Sequence, residues 1–235
     1  GLSLPSRFLS ALAFASRLSE DNISSSSATA TVGQFFPQGA KKHPPAFTLK
    51  QLKRMTMTID DALPGGNIIV QFQSSREAVL APDLRDTSSK WFYWKFRTRF
   101  SEPGRYVFRF APWSAMGARG PAVSADQGRT WQWLGTDAVD FATESFAYDC
   151  SAAGEERWFC VCIPYLQTDW ERFTASIPAG AATMAELCRS RQNRPVECLS
   201  IGNPDAPRRI FLSSRHHAQE SMATFTLEGF LREVM

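Results

Sequence analysis

KWFYWKFRTRFSEPGRYVFRF, residues 90–110, alternates aromatic and basic side chains on both sides of a turn. Successive side chains of a strand point to opposite faces, so Phe92, Trp94, Phe96 and Phe100 fall on one face and Lys95, Arg97 and Arg99 on the other. SEPG, with Pro103 and Gly104, supplies the turn. Beyond it Tyr106, Phe108 and Phe110 go inward while Arg105 and Arg109 go outward. One face is core and one is wet, as on a half-buried antiparallel strand. GGNIIVQF, EAVLAP, TWQWLG, ESFAY and RWFCVCI have the same texture and are separated by Gly, Pro, Asp and Ser. Together they predict an antiparallel β-sandwich over residues 56–168.

The chain has 235 residues, 43% of them hydrophobic, and a net charge of +3. That length suits one or two ordinary cores. Its apolar runs fall far short of the roughly 20 residues that span a bilayer, and the charge is too small to argue for nucleic acid. Cys150, Cys160, Cys162, Cys188 and Cys198 show no metal-ligand spacing and read as reduced thiols of a cytoplasmic protein. Residues 1–55, with SSSS and KKHPP, lack core periodicity and read as a leader. Arg7, Arg17 and the absence of acids before Glu20 suit an organelle transit peptide, and equally a disordered leader or a start at Met55 or Met57.

SADQGRTW, residues 124–131, resembles the Asp-box hairpin of sialidase-like propellers. A propeller repeats that unit; one copy reads as a structural hairpin, with Asp126 bonding to the turn, Gly128 at positive φ and Trp131 packed beneath. Residues 169–192 read as a mostly helical connector broken near Pro178 and Gly180. RPVECLSIG and RRIFLSS then read as two strands joined by a turn through Asn203, Pro204, Asp205 and Pro207. SMATFTLEGFLREV reads as a helix starting at Ser221, with Ala223, Leu227, Phe230, Leu231 and Val234 on one face. Between the last strand and this helix lies RHHAQE. A neutral imidazole and a carboxylate three residues apart there, His217 and Glu220, can reach one zinc ion, which takes N and O ligands at about 2.0–2.2 Å. H-x-x-E is also common by chance, and His216 beside Arg215 can equally pack or bond a carbonyl.

From Met57 onward the chain resembles the zinc metallocarboxypeptidases of the carboxypeptidase A clan, in their cytosolic carboxypeptidase branch. The resemblance is carried by PGGNIIVQF, DTSSKWFYWKF, YVFRF, CIPYLQTDWERF, RPVECLSIG and RRIFLSSRHHAQESMATFTLEGFL. It implies an α+β chain: a β-sandwich, then the first strands and helix of an α/β catalytic domain over residues 193–235. It further implies a Zn2+ cofactor with His217 and Glu220 as ligands, and a domain continuing past Met235 to a third histidine ligand and a glutamate base. The remaining histidine of this chain, His43, lies in the leader. Ala218-Gln219 stands where the branch has Pro-Gly, and Asn193 where it has glycine.

The substrates implied are C-terminal peptide or protein tails, including acidic, tubulin-like ones, for which Lys95, Arg97, Arg99, Arg105 and Arg109 form a candidate docking stripe. The alternative for that stripe is an ordinary solvated sheet face. The alternative for the whole chain is a non-catalytic interaction sandwich with a remnant peptidase stub; a carbohydrate-binding sandwich would also suit its aromatic richness.

Overall fold

The structure is a computed structural model that describes residues 10–14, 55–85, 93–113 and 115–235. In chain order its strands are β1 (Ser10–Phe14), β2 (Met57–Asp60), β3 (Ile69–Gln73), β4 (Glu77–Ala81), β5 (Lys95–Phe100), β6 (Gly104–Phe110), β7 (Ala122–Ser124), β8 (Gln132–Trp133), β9 (Val139–Asp140), β10 (Ser145–Cys150), β11 (Glu156–Cys160), β12 (Ala182–Arg189), β13 (Pro195–Ile201) and β14 (Arg209–Ser213). The helices are α1 (Gln167–Ala175) and α2 (Ser221–Val234). Among the described residues the fold is therefore mostly sheet with two α-helices. None is long and apolar enough to cross a membrane. The chain divides into a sheet unit, Glu20–Phe159, and a helix-bearing unit, Gly1–Ser19 with Cys160–Met235.

In the sheet unit, two five-stranded sheets run β3-β4-β6-β10-β9 and β2-β5-β11-β7-β8. The alternation holds at most positions: Trp94, Phe96, Phe100, Tyr106, Phe108 and Phe110 are buried and Arg99 and Arg105 exposed, but Lys95, read as outward, is fully buried, and Phe92 lies outside the described residues. Because β5 and β6 lie in different sheets, their inward aromatics meet face to face. Trp94 stacks on Phe110 at 4.6 Å between ring centroids, and Phe96 meets Phe108 at 5.5 Å. Phe159 of β11 sits among Phe96, Phe108, Phe146 and Tyr148 at 5.2–5.5 Å. Such tilted and offset rings add to the burial of large apolar areas. The β4–β6 ladder departs from the antiparallel expectation by running parallel.

The 124–131 hairpin joins β7 to β8 as its residues predict. Gly128 takes φ +83, and a Cβ there would lie 2.9 Å from the Trp158 ring. Trp131 Nε1 donates to Gly128 O at 3.0 Å. Asp126 accepts from Thr130 Oγ1, Thr130 N–H and Ser124 Oγ at 2.6, 2.9 and 2.8 Å. These donors favour the ionised carboxylate, led by the Thr130 hydroxyl, and lower its pKa to about 2.

In the helix-bearing unit one sheet runs β12-β13-β1-β14. Tyr165, Trp170, Phe173, Leu199, Ile201 and Leu231 form the core between that sheet and the helices. Three sequence expectations change here. Residues 10–14, inside the segment read as a leader, form a strand antiparallel to β13 and parallel to β14; other leader residues before 55 lie outside the described residues. The connector is helical only over α1, because residues 182–189 pair with β13 through a turn in which Asn193 takes φ +59. Asn tolerates that left-handed conformation better than most residues, so it serves where glycine was expected. Finally, α2 begins at Ser221 as read, but it buries Ser221, Thr224 and Leu231 and leaves Phe230 and Val234 exposed. Tertiary packing favours a face rotated toward the small polar residues, because Ser221 and Thr224 find hydrogen-bond partners inside.

Two predictions follow from the sheet unit. Phe159→Ala removes a fully buried ring and should cost about 3–5 kcal/mol, read by urea denaturation. Asp126 has a folded pKa below its unfolded value of 3.8, so its stabilisation is complete above about pH 4 and is lost as pH falls through about 2. Asp126→Asn should accordingly lower the unfolding midpoint at pH 7, with the difference from the parent chain shrinking toward pH 2 in a thermal melt series.

Candidate metal centre

β14 ends at Ser213 and α2 begins at Ser221, so residues 214–220 form a short loop between a strand's carboxyl end and a helix. His217 and Glu220 meet on it. Nδ1 of His217 lies 2.5 Å from Oε1 of Glu220. The second carboxylate oxygen accepts the His217 backbone N–H at 3.2 Å, and Glu220 N–H donates to His217 O at 3.1 Å. The loop thus closes on itself and presents one imidazole nitrogen and one carboxylate oxygen together. Hydrogen bonding from His217 holds the Glu220 carboxyl below its ordinary range. His216 turns elsewhere, with Nε2 3.1 Å from Ser213 Oγ.

A nitrogen and an oxygen donor suit two positions of a tetrahedral zinc site. Between the two residues, Oε1 of Gln219 is buried without a hydrogen-bond partner among the described residues. No group of three or more His, Cys, Asp or Glu side chains able to hold a metal occurs among the described residues. His43 lies outside them. The pair therefore fits a metal as part of a ligand set.

Sequence reasoning missed the residues that hold the loop. Arg215 is buried at φ +57 and donates to Tyr165 O and, at 3.2 Å, to Ala218 O. Ser221 Oγ donates to Ile163 O and lies 3.3 Å from Cys162 Sγ. Hydrogen bonding from Cys160 pushes the Cys162 thiol down, with Ser221 and Arg215 adding to the effect. Neither spacing nor periodicity marks an inward-turned arginine next to two histidines. A positive φ at a non-glycine residue becomes visible only in the fold.

The basic stripe is not one surface. Lys95, Arg97 and Arg99 belong to one sheet and Arg105 and Arg109 to the other. Lys95 is fully buried: its Nζ donates to Pro64 O at 2.8 Å and lies over the Trp131 and Trp158 rings at 5.5 and 5.3 Å. Arg97 makes a two-pronged contact with Asp60 at 2.7 and 3.0 Å, which raises its pKa. Arg99 pairs with Glu156 at 2.6 Å, Arg105 with Asp149 at 3.0 Å, and Arg109 donates to Thr143 O at 3.0 Å. Cross-strand and cross-loop partners already use these cations, so a docking stripe for acidic tails has no support in their placement.

No family model matches the chain. It is 28% identical to an uncharacterized protein of Zymomonas mobilis, across 77% of this chain and 48% of that protein. Among solved structures it is similar to a metallo-carboxypeptidase from Burkholderia cenocepacia, at 22% identity and a TM-score of 0.61 over 75% of this chain and 48% of that one. It is also similar to a metallo-carboxypeptidase from Pseudomonas aeruginosa in complex with (2-guanidinoethylmercapto)succinic acid, at 22% identity and a TM-score of 0.58 over 75% and 49%. The chain spans about half the length of these proteins. The likeness shows a metallo-carboxypeptidase fold, and these two solved structures are of bacterial proteins.

Because Arg97 is tied to Asp60, Arg97→Glu should act on stability. A loss of about 1 kcal/mol is expected for a half-exposed pair of this kind, measured by chemical denaturation, with binding of a polyglutamate peptide unchanged.

Proposed function

We propose that this chain is part of a zinc metallocarboxypeptidase that removes C-terminal residues from peptides or protein tails, with His217 and Glu220 as two of the protein ligands. The observation that carries this reading is the 2.5 Å approach of His217 Nδ1 to Glu220 Oε1 on the loop between β14 and α2. It occurs in a chain whose fold resembles metallo-carboxypeptidases. The Pseudomonas aeruginosa protein's complex with a guanidino-bearing succinic acid is in keeping with small carboxylate groups as what such a site receives.

His217 and Glu220 would hold the zinc ion, which would supply Lewis-acid chemistry for peptide hydrolysis. This chain's own contribution is to hold the donors. The second oxygen of Glu220, bonded to the His217 N–H, fixes the carboxylate against rotation. The loop backbone sets the separation of the two donors before any ion arrives, which limits the ordering that binding would otherwise require.

Zinc titrated calorimetrically into the chain should bind at one site. His217→Ala and Glu220→Ala should each weaken it by more than the roughly 10–100-fold that loss of an outer hydrogen-bond partner costs at metal sites. Equal zinc affinity in the parent chain and both variants would remove the reading.

A further inference from the structure

We infer that Arg215 is a positioning residue for the candidate zinc loop: its buried guanidinium, bridging the carbonyls of Tyr165 and Ala218, sets the loop so that His217 Nδ1 and Glu220 Oε1 are held together. The inference rests on the reading of that pair as metal ligands. Arg215 is 6% exposed and lies two residues before His217. Its Nε donates to Ala218 O at 3.2 Å, the carbonyl that follows His217, and its Nη1 donates to Tyr165 O.

Tyr165 is a firm anchor. It is 2% exposed within the helix–sheet core, its ring meets Phe225 of α2 edge-on at 5.0 Å, and its hydroxyl donates to Glu228 at 3.1 Å. The two ends of the loop are fixed by other bonds. Ser214 Oγ lies 3.2 Å from Thr224 Oγ1, and Ser221 Oγ donates to Ile163 O. Arg215 is the cation tying the middle of the loop, between the two candidate ligands, to that frame.

Chemistry favours a function for this arrangement over simple packing. A buried guanidinium is costly to desolvate, and an apolar side chain fills space without that cost. The left-handed backbone at Arg215, φ +57, is a conformation that non-glycine residues adopt uncommonly and that concentrates at functional sites. A planar fork can donate to two carbonyls in fixed directions, which a lysine ammonium does only as a mobile point charge. Metal ligands depend on such outer partners for their orientation, and losing one typically costs about 10–100-fold in metal affinity.

The test uses zinc alone as the probe, with His217→Ala, Arg215→Lys and Arg215→Met beside the parent chain. Arg215→Lys should weaken zinc roughly tenfold and Arg215→Met by up to about 100-fold, and cobalt(II) loaded in place of zinc should change its visible spectrum in both. A purely structural role would lower the unfolding midpoint yet leave the zinc affinity of the folded chain and the cobalt spectrum unaltered. That result, with zinc binding lost in His217→Ala, overturns this inference and spares the ligand pair. Zinc affinity unchanged in His217→Ala, or no zinc binding by the parent chain, overturns both. Should the Arg215 variants not fold, the parent chain still decides: the Arg215 Nε–H resonance should shift and exchange more slowly when zinc is added, and an unmoved resonance overturns the inference.

Discussion

Phe159 touches Phe96 of its own sheet and Phe108, Phe146 and Tyr148 of the opposite one, and the sheet unit is organised around that contact. Two twisted sheets hold together when alternate side chains of each fill the layer between them. Here those side chains are mostly aromatic rings in tilted and offset arrangements, so a few strands bury a large apolar area. The same pleat sends every other residue outward, and what happens there is less uniform. Arg99 and Arg105 reach carboxylates in partly exposed pairs, whereas Lys95 is covered by Trp131 and Trp158 and satisfied by a backbone carbonyl. An ammonium tolerates such burial when a carbonyl and two ring faces replace its water.

The helix-bearing unit solves a different problem. A loop of seven residues leaves a strand and enters a helix, and its carbonyls and N–H groups need partners wherever water is excluded. The segment after β11 supplies two acceptors, Ile163 O and Tyr165 O, and the loop answers with Ser221 and Arg215. That exchange fixes the loop ends and middle, and it leaves the His217 and Glu220 side chains to meet each other. Within that frame the pair closes through its own bonds, His217 Nδ1 to Glu220 Oε1 and the His217 N–H to the second carboxylate oxygen.

Much of this was legible in the residues. The alternation in WFYWKFRTRF and GRYVFRF identifies the buried faces, because a period of two leaves one choice of inward side once aromatics and cations are separated. The 124–131 hairpin is readable because Ser, Asp, Gly and Trp each have one strong local use there. The start of α2 and the His217–Glu220 pairing are readable for the same reason: partners three or four residues apart on a short loop lie within reach of one another. The buried face of α2 was not readable, since Thr224 and Ser221 are chosen by partners distant in sequence and Phe230 is left outside.

What the sequence determined by itself is thus local: which faces of the strands are apolar, where turns fall, and that an imidazole and a carboxylate share one loop. The tertiary structure alone decided which strands are neighbours. It placed β5 and β6 in separate sheets, which divided the apparent basic stripe, and it inserted residues 10–14 between β13 and β14. It also turned Arg215 inward onto Tyr165. The physical reason is common to all three. Pairing between distant segments is selected by the summed burial and hydrogen bonding of the whole unit, and no short window of residues contains that sum.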